Sequence, residues 1–153
     1  MKEITIGLLN NTEGSAKFIN GDTIIVAGVV GPKENVRNNL YCDVEVNWSI
    51  DSDTRDSGQG EYREILKRIV ESLIIRDKYP RTTITISIAV FRDDGSVLST
   101  ACNAAVLALV DCGVAMNEWR ITDIGVTNDP THIRCGPKHI ARIYIIDVFH
   151  GPV

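Results

Sequence analysis

Apolar residues recur along this chain with two different periods, and the change from one to the other marks its elements. Residues 3–9 alternate apolar and polar, Asn10-Asn11 breaks the run, and residues 14–19 resume it. Asn20-Gly21-Asp22 then gives the signal of a tight hairpin before an apolar run over residues 23–30, which Gly31-Pro32 is expected to end. Residues 40–48 alternate strictly, which predicts a half-exposed strand with Leu40, Cys42, Val44, Val46 and Trp48 on one face. Such segments in succession predict an antiparallel meander.

Residues 51–60 are polar, free of aromatics and interrupted by glycines, a composition that predicts a mobile loop. Beyond them the period becomes helical. Tyr62, Ile65, Leu66, Ile69, Val70, Leu73 and Ile74 repeat opposite Arg63, Glu64, Lys67 and Glu71, predicting an amphipathic helix of about four turns ended by Pro80. Residues 82–91 are dense in β-branched side chains and predict a strand. Asp93-Asp94-Gly95-Ser96 turns that strand into a second helix over residues 97–112, with Asp94 or Ser96 as its N-cap. This helix carries Ala101, Ala104, Ala105 and Ala108 among leucines and valines and is apolar nearly all round, so it must be buried close against a sheet. After Trp119, strands are expected over residues 121–127 and 140–149, with a short extended piece at 131–135 between them.

The chain has 153 residues, 44% hydrophobic and 24% charged, which predicts one globular α+β domain over residues 1–153. A fold of this size hides roughly 70% of its unfolded surface, enough for a single core. The net charge of −4 excludes the global basic field of a free-standing nucleic-acid binder, so a polyanion must meet a local patch or a partner's charge. No run approaches the roughly 18 apolar residues of a membrane span, and the N-terminus lacks the pattern of a signal peptide. A soluble, intracellular protein without a membrane partner is expected. Cys42, Cys102, Cys112 and Cys135 show no paired spacing. Cys102 and Cys112 would stand about 15 Å apart along one helix, too far to bridge, so reduced thiols are expected.

Candidate chemistry is sparse. Arg63, Lys67 and Arg68, with Arg76, Lys78 and Arg81 beyond the helix, form either a local surface for a phosphodiester backbone or an ordinary solvated helix face. Arg63 and Lys67 stand one turn apart and repel by a few tenths of a kcal/mol unless an anion lies between them. Glu64 and Arg68 have the spacing of a surface ion pair, and Glu61, Glu71 and Asp77 dilute the positive charge. Asp129, His132, Cys135 and His139 are metal-ligand types, but Gly136-Pro137 intervenes and the spacing fits no standard zinc pair. No metal and no cofactor are expected. Ser96, Ser99 and Thr100 lack a nearby histidine and read as helix-start residues rather than nucleophiles. Tyr41, Trp48, Tyr62 and Trp119 read as core or subunit-contact residues before they read as base-stacking ones.

Residues 14–23 followed by Ala27-Gly28-Val29-Val30-Gly31-Pro32 resemble the opening hairpin of the RNase PH superfamily. The resemblance continues in order through Tyr79-Pro80-Arg81-Thr82-Thr83-Ile84, Asp94-Gly95-Ser96 and residues 103–114. The Cys102-Asn103-Ala104-Ala105 form of the second helix is most similar to the exosome component 5 type of eukaryotic exosome ring subunit. The resemblance implies a β-α-β fold of the ribosomal protein S5 domain 2-like kind, a mixed sheet packed on two main helices. It also implies a place in a six-membered ring that threads RNA through a pore, with related ring subunits and cap subunits as partners, RNA within the complex, and residence in nucleus, nucleolus and cytoplasm. Arg68 and Arg81 are the residues it singles out for a channel-facing role.

Phosphorolysis needs cations that hold phosphate against the scissile bond and carboxylates that support acid and metal chemistry. Active members of the superfamily open the second helix with a Gly-Gly-Thr-Arg-Thr type motif. The matching stretch here is Gly95-Ser96-Val97-Leu98-Ser99, with Leu98 at the arginine position, and residues 131–137 hold no carboxylate where paired aspartates are expected. The resemblance therefore implies a non-catalytic subunit that supports 3′-to-5′ RNA processing and turnover through assembly and shaping of the RNA path. The alternative is a phosphate- or metal-dependent nuclease with a rearranged site drawn from Asp93, Asp94, Asp129 or Asp147. Family chains continue with C-terminal helices, and this one ends at Phe149-His150-Gly151-Pro152-Val153, which implies either a truncated chain or a face left for a partner.

Overall fold

The computed structural model describes residues 2–37, 39–50, 59–95 and 97–117. Its elements come in the expected order: β1 (Lys2–Ile6), β2 (Gly14–Asn20), β3 (Thr23–Glu34), β4 (Asp43–Ile50), α1 (Gln59–Leu73), a 3₁₀ turn over Arg76–Lys78, β5 (Thr82–Arg92) and α2 (Val97–Cys112). Of the loop expected over residues 51–60, Gln59 and Gly60 belong instead to the first turn of α1; residues 51–58, the cap at Ser96, the strands after Trp119, the Asp129–His139 group and Cys135 lie outside the described residues.

The strands form one mixed sheet in the order β1-β2-β3-β5-β4. Gly21 turns β2 into β3 with φ +61°, and Asn20 pairs with Thr23 across a two-residue loop. The expected meander holds through β1, β2 and β3, but β4 does not join β3. It lies parallel to β5 at the sheet edge. A parallel pair needs a crossover, and α1 supplies it, so β4-α1-β5 is a βαβ unit. Alternation in residues 40–48 reports which face is buried; it carries no information about the neighbouring strand.

Register lines the inward side chains into rows that cross the sheet. One row is Ile4, Phe18, Ile25, Val90 and Ile50; the next is Ile6, Ala16, Ala27, Ile88 and Trp48; a third is Gly14, Val29, Ile86 and Val46. α2 lies over β2 and β3, where the rows are small, and α1 lies over β4. Leu66, Val70 and Leu73 of α1 are buried, and Val97 through Leu109 of α2 are buried on every side of the helix. Trp48 and Tyr62 meet at 5.9 Å between β4 and α1, the packing role expected of them.

Three boundaries differ from expectation. β3 runs through Gly31-Pro32 to Glu34 instead of stopping there. Val30 faces Thr85 and Lys33 faces Thr83, so the register shifts at a bulge that accommodates a proline without an N–H. Gly31 takes φ +122°, and a Cβ there would stand 2.6 Å from the Thr83 carbonyl. β4 begins at Asp43, which leaves Leu40 exposed rather than on the inward face with Cys42. α1 begins at Gln59 and ends at Leu73, ahead of Pro80, because Ile74 bridges to Met116 and the Ile75 N–H donates to Ala115 O.

Cys42 and Cys102 are buried and Cys112 is half-buried; all three are free thiols, as expected. Burial pushes the Cys112 thiol up from its ordinary value, with the Glu13 and Asp111 carboxylates adding to the effect. A thiol that holds its proton more tightly when folded supports the fold below the unfolded pKa, about 8.5, and withdraws that support as pH rises through the folded pKa. Urea midpoints measured between pH 7 and pH 10 are therefore expected to fall further for the wild type than for Cys112→Ser. Parallel curves for the two proteins would contradict it.

Candidate nucleic-acid interface

α1 carries Arg63, Lys67 and Arg68 on its outer half, with Arg63 and Arg68 exposed and Lys67 half-buried. At about 100° per residue, Arg63 and Lys67 share one flank while Arg68 projects from a position more than a quarter turn away, with Glu64 and Glu71 between. None of the three makes a side-chain hydrogen bond or ion pair with another described residue, so the expected Glu64–Arg68 pair is not formed.

Arg81 stands elsewhere. As the crossover helix, α1 runs back along the sheet, so Arg63 lies toward the Ile50 end of β4 and Arg81 at the Thr82 start of β5. About 15 Å of helix separates Arg63 from the end of α1. The structure thus groups Arg63 with Lys67 and places Arg68 between that pair and Arg81, without bringing all four together. Arg81 is exposed and takes φ +58°, unusual for a side chain with a Cβ. Its backbone explains the constraint: the Arg81 N–H donates to Asn39 O at 3.0 Å, and its carbonyl accepts from the Asn35 N–H at 2.7 Å.

Those two bonds belong to a knot that sequence reasoning missed. The Asn35 Nδ2 donates to Asp43 Oδ2 at 3.2 Å and to Thr83 Oγ1 at 2.8 Å, and the Asn39 Nδ2 donates to the same Asp43 oxygen at 2.7 Å. The Arg76 Nε donates to Cys42 O at 2.8 Å, and the Cys42 N–H returns a bond to Arg76 O at 3.0 Å. The connection between β3 and β4 is therefore fixed at both ends. The visible signal is its asparagines, a common turn composition; nothing in their spacing names Asp43 or Thr83 as partners.

The first turn of α2 is buried, its polar residues Ser99 and Thr100 included. Leu98, in the first turn, is buried in the core cluster beside Val97 and Ala101. Asp93 and Asp94 are exposed, and their bonds are those of a turn: Asp93 Oδ1 accepts from the Gly95 N–H at 2.8 Å, and the Asp94 N–H donates to the buried Thr23 Oγ1 at 3.0 Å. Asp94 stands three residues ahead of Val97, too early to be the N-cap. Among the described residues no group of three or more His, Cys, Asp or Glu side chains is placed to hold a metal ion, and no helix is long and apolar enough to cross a membrane.

Comparison with known proteins places this geometry. Residues 2–115 match the 3′ exoribonuclease family, domain 1 (RNase PH). The chain is 39% identical over 117 residues to the Exosome complex exonuclease RRP46 homolog of Arabidopsis thaliana, a match covering 74% of this chain and 49% of that protein. It is 32% identical over 128 residues to the Exosome complex component Rrp41 of Cenarchaeum symbiosum, covering 76% of this chain and 53% of the relative. The crystal structure of rice (Oryza sativa) Rrp46 superposes with a TM-score of 0.74 at 33% identity, over 78% of this chain and 59% of that one. An archaeal exosome core shares the fold at a TM-score of 0.62 and 24% identity, over 72% of this chain and 48% of that one. The chain spans about half the length of the curated relatives it matches.

Proposed function

This chain belongs to the RNase PH family, and from that premise we propose that it is a non-catalytic ring subunit of an RNA exosome, supporting 3′-to-5′ RNA processing by assembly and by shaping the RNA path. The observation that carries the proposal is Leu98. Where the family's phosphate-binding arginine is expected, α2 turns an aliphatic side chain into the core. The relatives named for exosome components support the assembly, with related ring subunits and cap subunits as partners and RNA within the complex. Such a complex would place the chain in nucleus, nucleolus and cytoplasm.

The test is reconstitution with ring subunits followed by incubation of single-stranded RNA with inorganic phosphate. Co-elution with the ring, and no phosphate-dependent release of nucleoside diphosphates by this chain, is the expected result. Release that disappears when one of its own carboxylates is removed would falsify the proposal. The word exonuclease in the name of the Arabidopsis relative favours one alternative, a phosphate- or metal-dependent nuclease with a rearranged carboxylate site drawn from Asp93, Asp94, Asp129 or Asp147. Metal-dependent, phosphate-independent cleavage would identify it.

The basic residues make a separate prediction. In the assembled ring, Arg68→Glu with Arg81→Glu is expected to weaken single-stranded RNA binding severalfold. It should also flatten the dependence of log K on log salt by about 0.7 for each phosphate that the two arginines neutralise. An unchanged salt slope would assign both arginines to solvent.

A further inference from the structure

We infer that the connection between β3 and β4 is a preformed docking site for a protein subunit that presents an apolar pocket rimmed by carboxylates. The inference rests on the ring-subunit reading above. Val36 is fully exposed, Leu40 is 78% exposed and Tyr41 is 56% exposed, three large apolar side chains on one short segment. Isolated apolar residues on a surface need no explanation, whereas three exposed on one short segment suit an interaction surface. Tyr41 is the kind of anchor that dominates protein interfaces, and aliphatic neighbours such as Val36 and Leu40 offer nothing to a phosphodiester backbone.

Order strengthens the case. Asp43 holds both Asn35 and Asn39, Arg81 holds the backbone at the same two residues, and the Arg37 N–H donates to Asn35 Oδ1 at 3.1 Å. A segment tied at its ends loses less conformational freedom on binding, so more of its contact energy appears as affinity. Charge names the occupant. Lys33, Arg37 and Lys78 are exposed on the connection, on its flank in β3 and on the 3₁₀ turn bonded to Cys42, against Glu34 and Asp77, on a chain whose net charge is −4. The local excess of cations complements an acidic rim.

The experiment measures binding of the full chain to the purified ring and cap subunits of the same organism, one at a time, with a labelled poly(A) oligonucleotide in parallel. Val36→Ser with Leu40→Ser, both at exposed positions, is expected to weaken binding to one of those subunits at least tenfold. Its Tm and its poly(A) binding should stay as in the wild type. Asp43→Ala leaves every exposed apolar group in place and releases the knot; a smaller loss, about threefold, is expected for the same subunit. If the double variant binds every subunit as the wild type does, the docking site is wrong while the ring reading stands. A loss confined to poly(A) would make the surface a nucleic-acid contact and overturn the inference. Failure of the wild-type chain to bind any subunit would remove the ring reading, and the inference with it.

Discussion

Gly14→Ala is expected to destabilise the protein by about 3 kcal/mol and to lower its Tm by about 10 °C, the upper part of the range for overpacked sites in a domain of this size. A Cβ at Gly14 would stand 2.3 Å from Ala108 O, 2.5 Å from the Cys112 backbone N and 2.7 Å from Cys112 Cβ. Two of these atoms are helix backbone and cannot rotate aside, so either β2 or the last turn of α2 must move. Movement there would disturb the bond from the Ser15 N–H to Asp111 Oδ2, 3.0 Å, which ties the same strand to the same helix turn. Gly60→Ala is the matched control: a Cβ at Gly60 meets nothing within 4 Å, and alanine favours the helix, so a small gain is expected. Thermal and urea unfolding of the two variants separate crowding from the loss of glycine's flexibility. A Gly14→Ala shift below about 2 °C would mean that α2 does not rest on β2 at this point.

The pattern of burial is largely legible without the structure. Strict alternation names Val44 and Val46, helical spacing names Leu66 and Val70, and the alanines of residues 101–108 announce a helix lodged against small residues. The Gly14–Ala108 approach is the physical content of that announcement. Connectivity is less legible, since β4 finds β5 through a crossover and its own sequence carries no mark of the partner. Gly31-Pro32 misleads for a related reason: the pair disfavours a regular ladder, and a bulge is one way to satisfy it without ending the strand. At the candidate interface, helical periodicity alone places Arg63, Lys67 and Arg68. Arg81 joins the same patch only by nearness in sequence, whereas its surroundings are set by Asn35, Asn39 and Asp43, which lie in a different connection. Leu40 is expected inside because alternation extends through it. The strand in fact starts at Asp43, where the asparagine bonds close the preceding segment.

Restoring the family's arginine by Leu98→Arg is expected to cost on the order of 4 kcal/mol and to confer no phosphorolysis. The cost has two sources. Leu98 packs in the core with Val97 and Ala101, so replacing it removes apolar packing. The guanidinium would enter a region where the neighbouring described residues of α2 are buried and largely apolar, with no carboxylate among Val97 through Leu109 to pair with it. An arginine serves phosphate only when it is exposed to a site that phosphate can reach, and the first turn of α2 directs residue 98 into the core. The proposed absence of phosphate binding is therefore a change in what the helix start is made of, repacked as core, rather than one missing charge in an otherwise intact pocket. Leu98→Ala provides the comparison, because it removes the packing without adding a charge and is expected to cost about 2–3 kcal/mol. An arginine variant that is less stable than the alanine variant, and inert toward RNA and phosphate, supports the core assignment. An arginine variant as stable as the wild type that binds inorganic phosphate would show that residue 98 opens onto a retained phosphate site, and the non-catalytic reading would have to be given up.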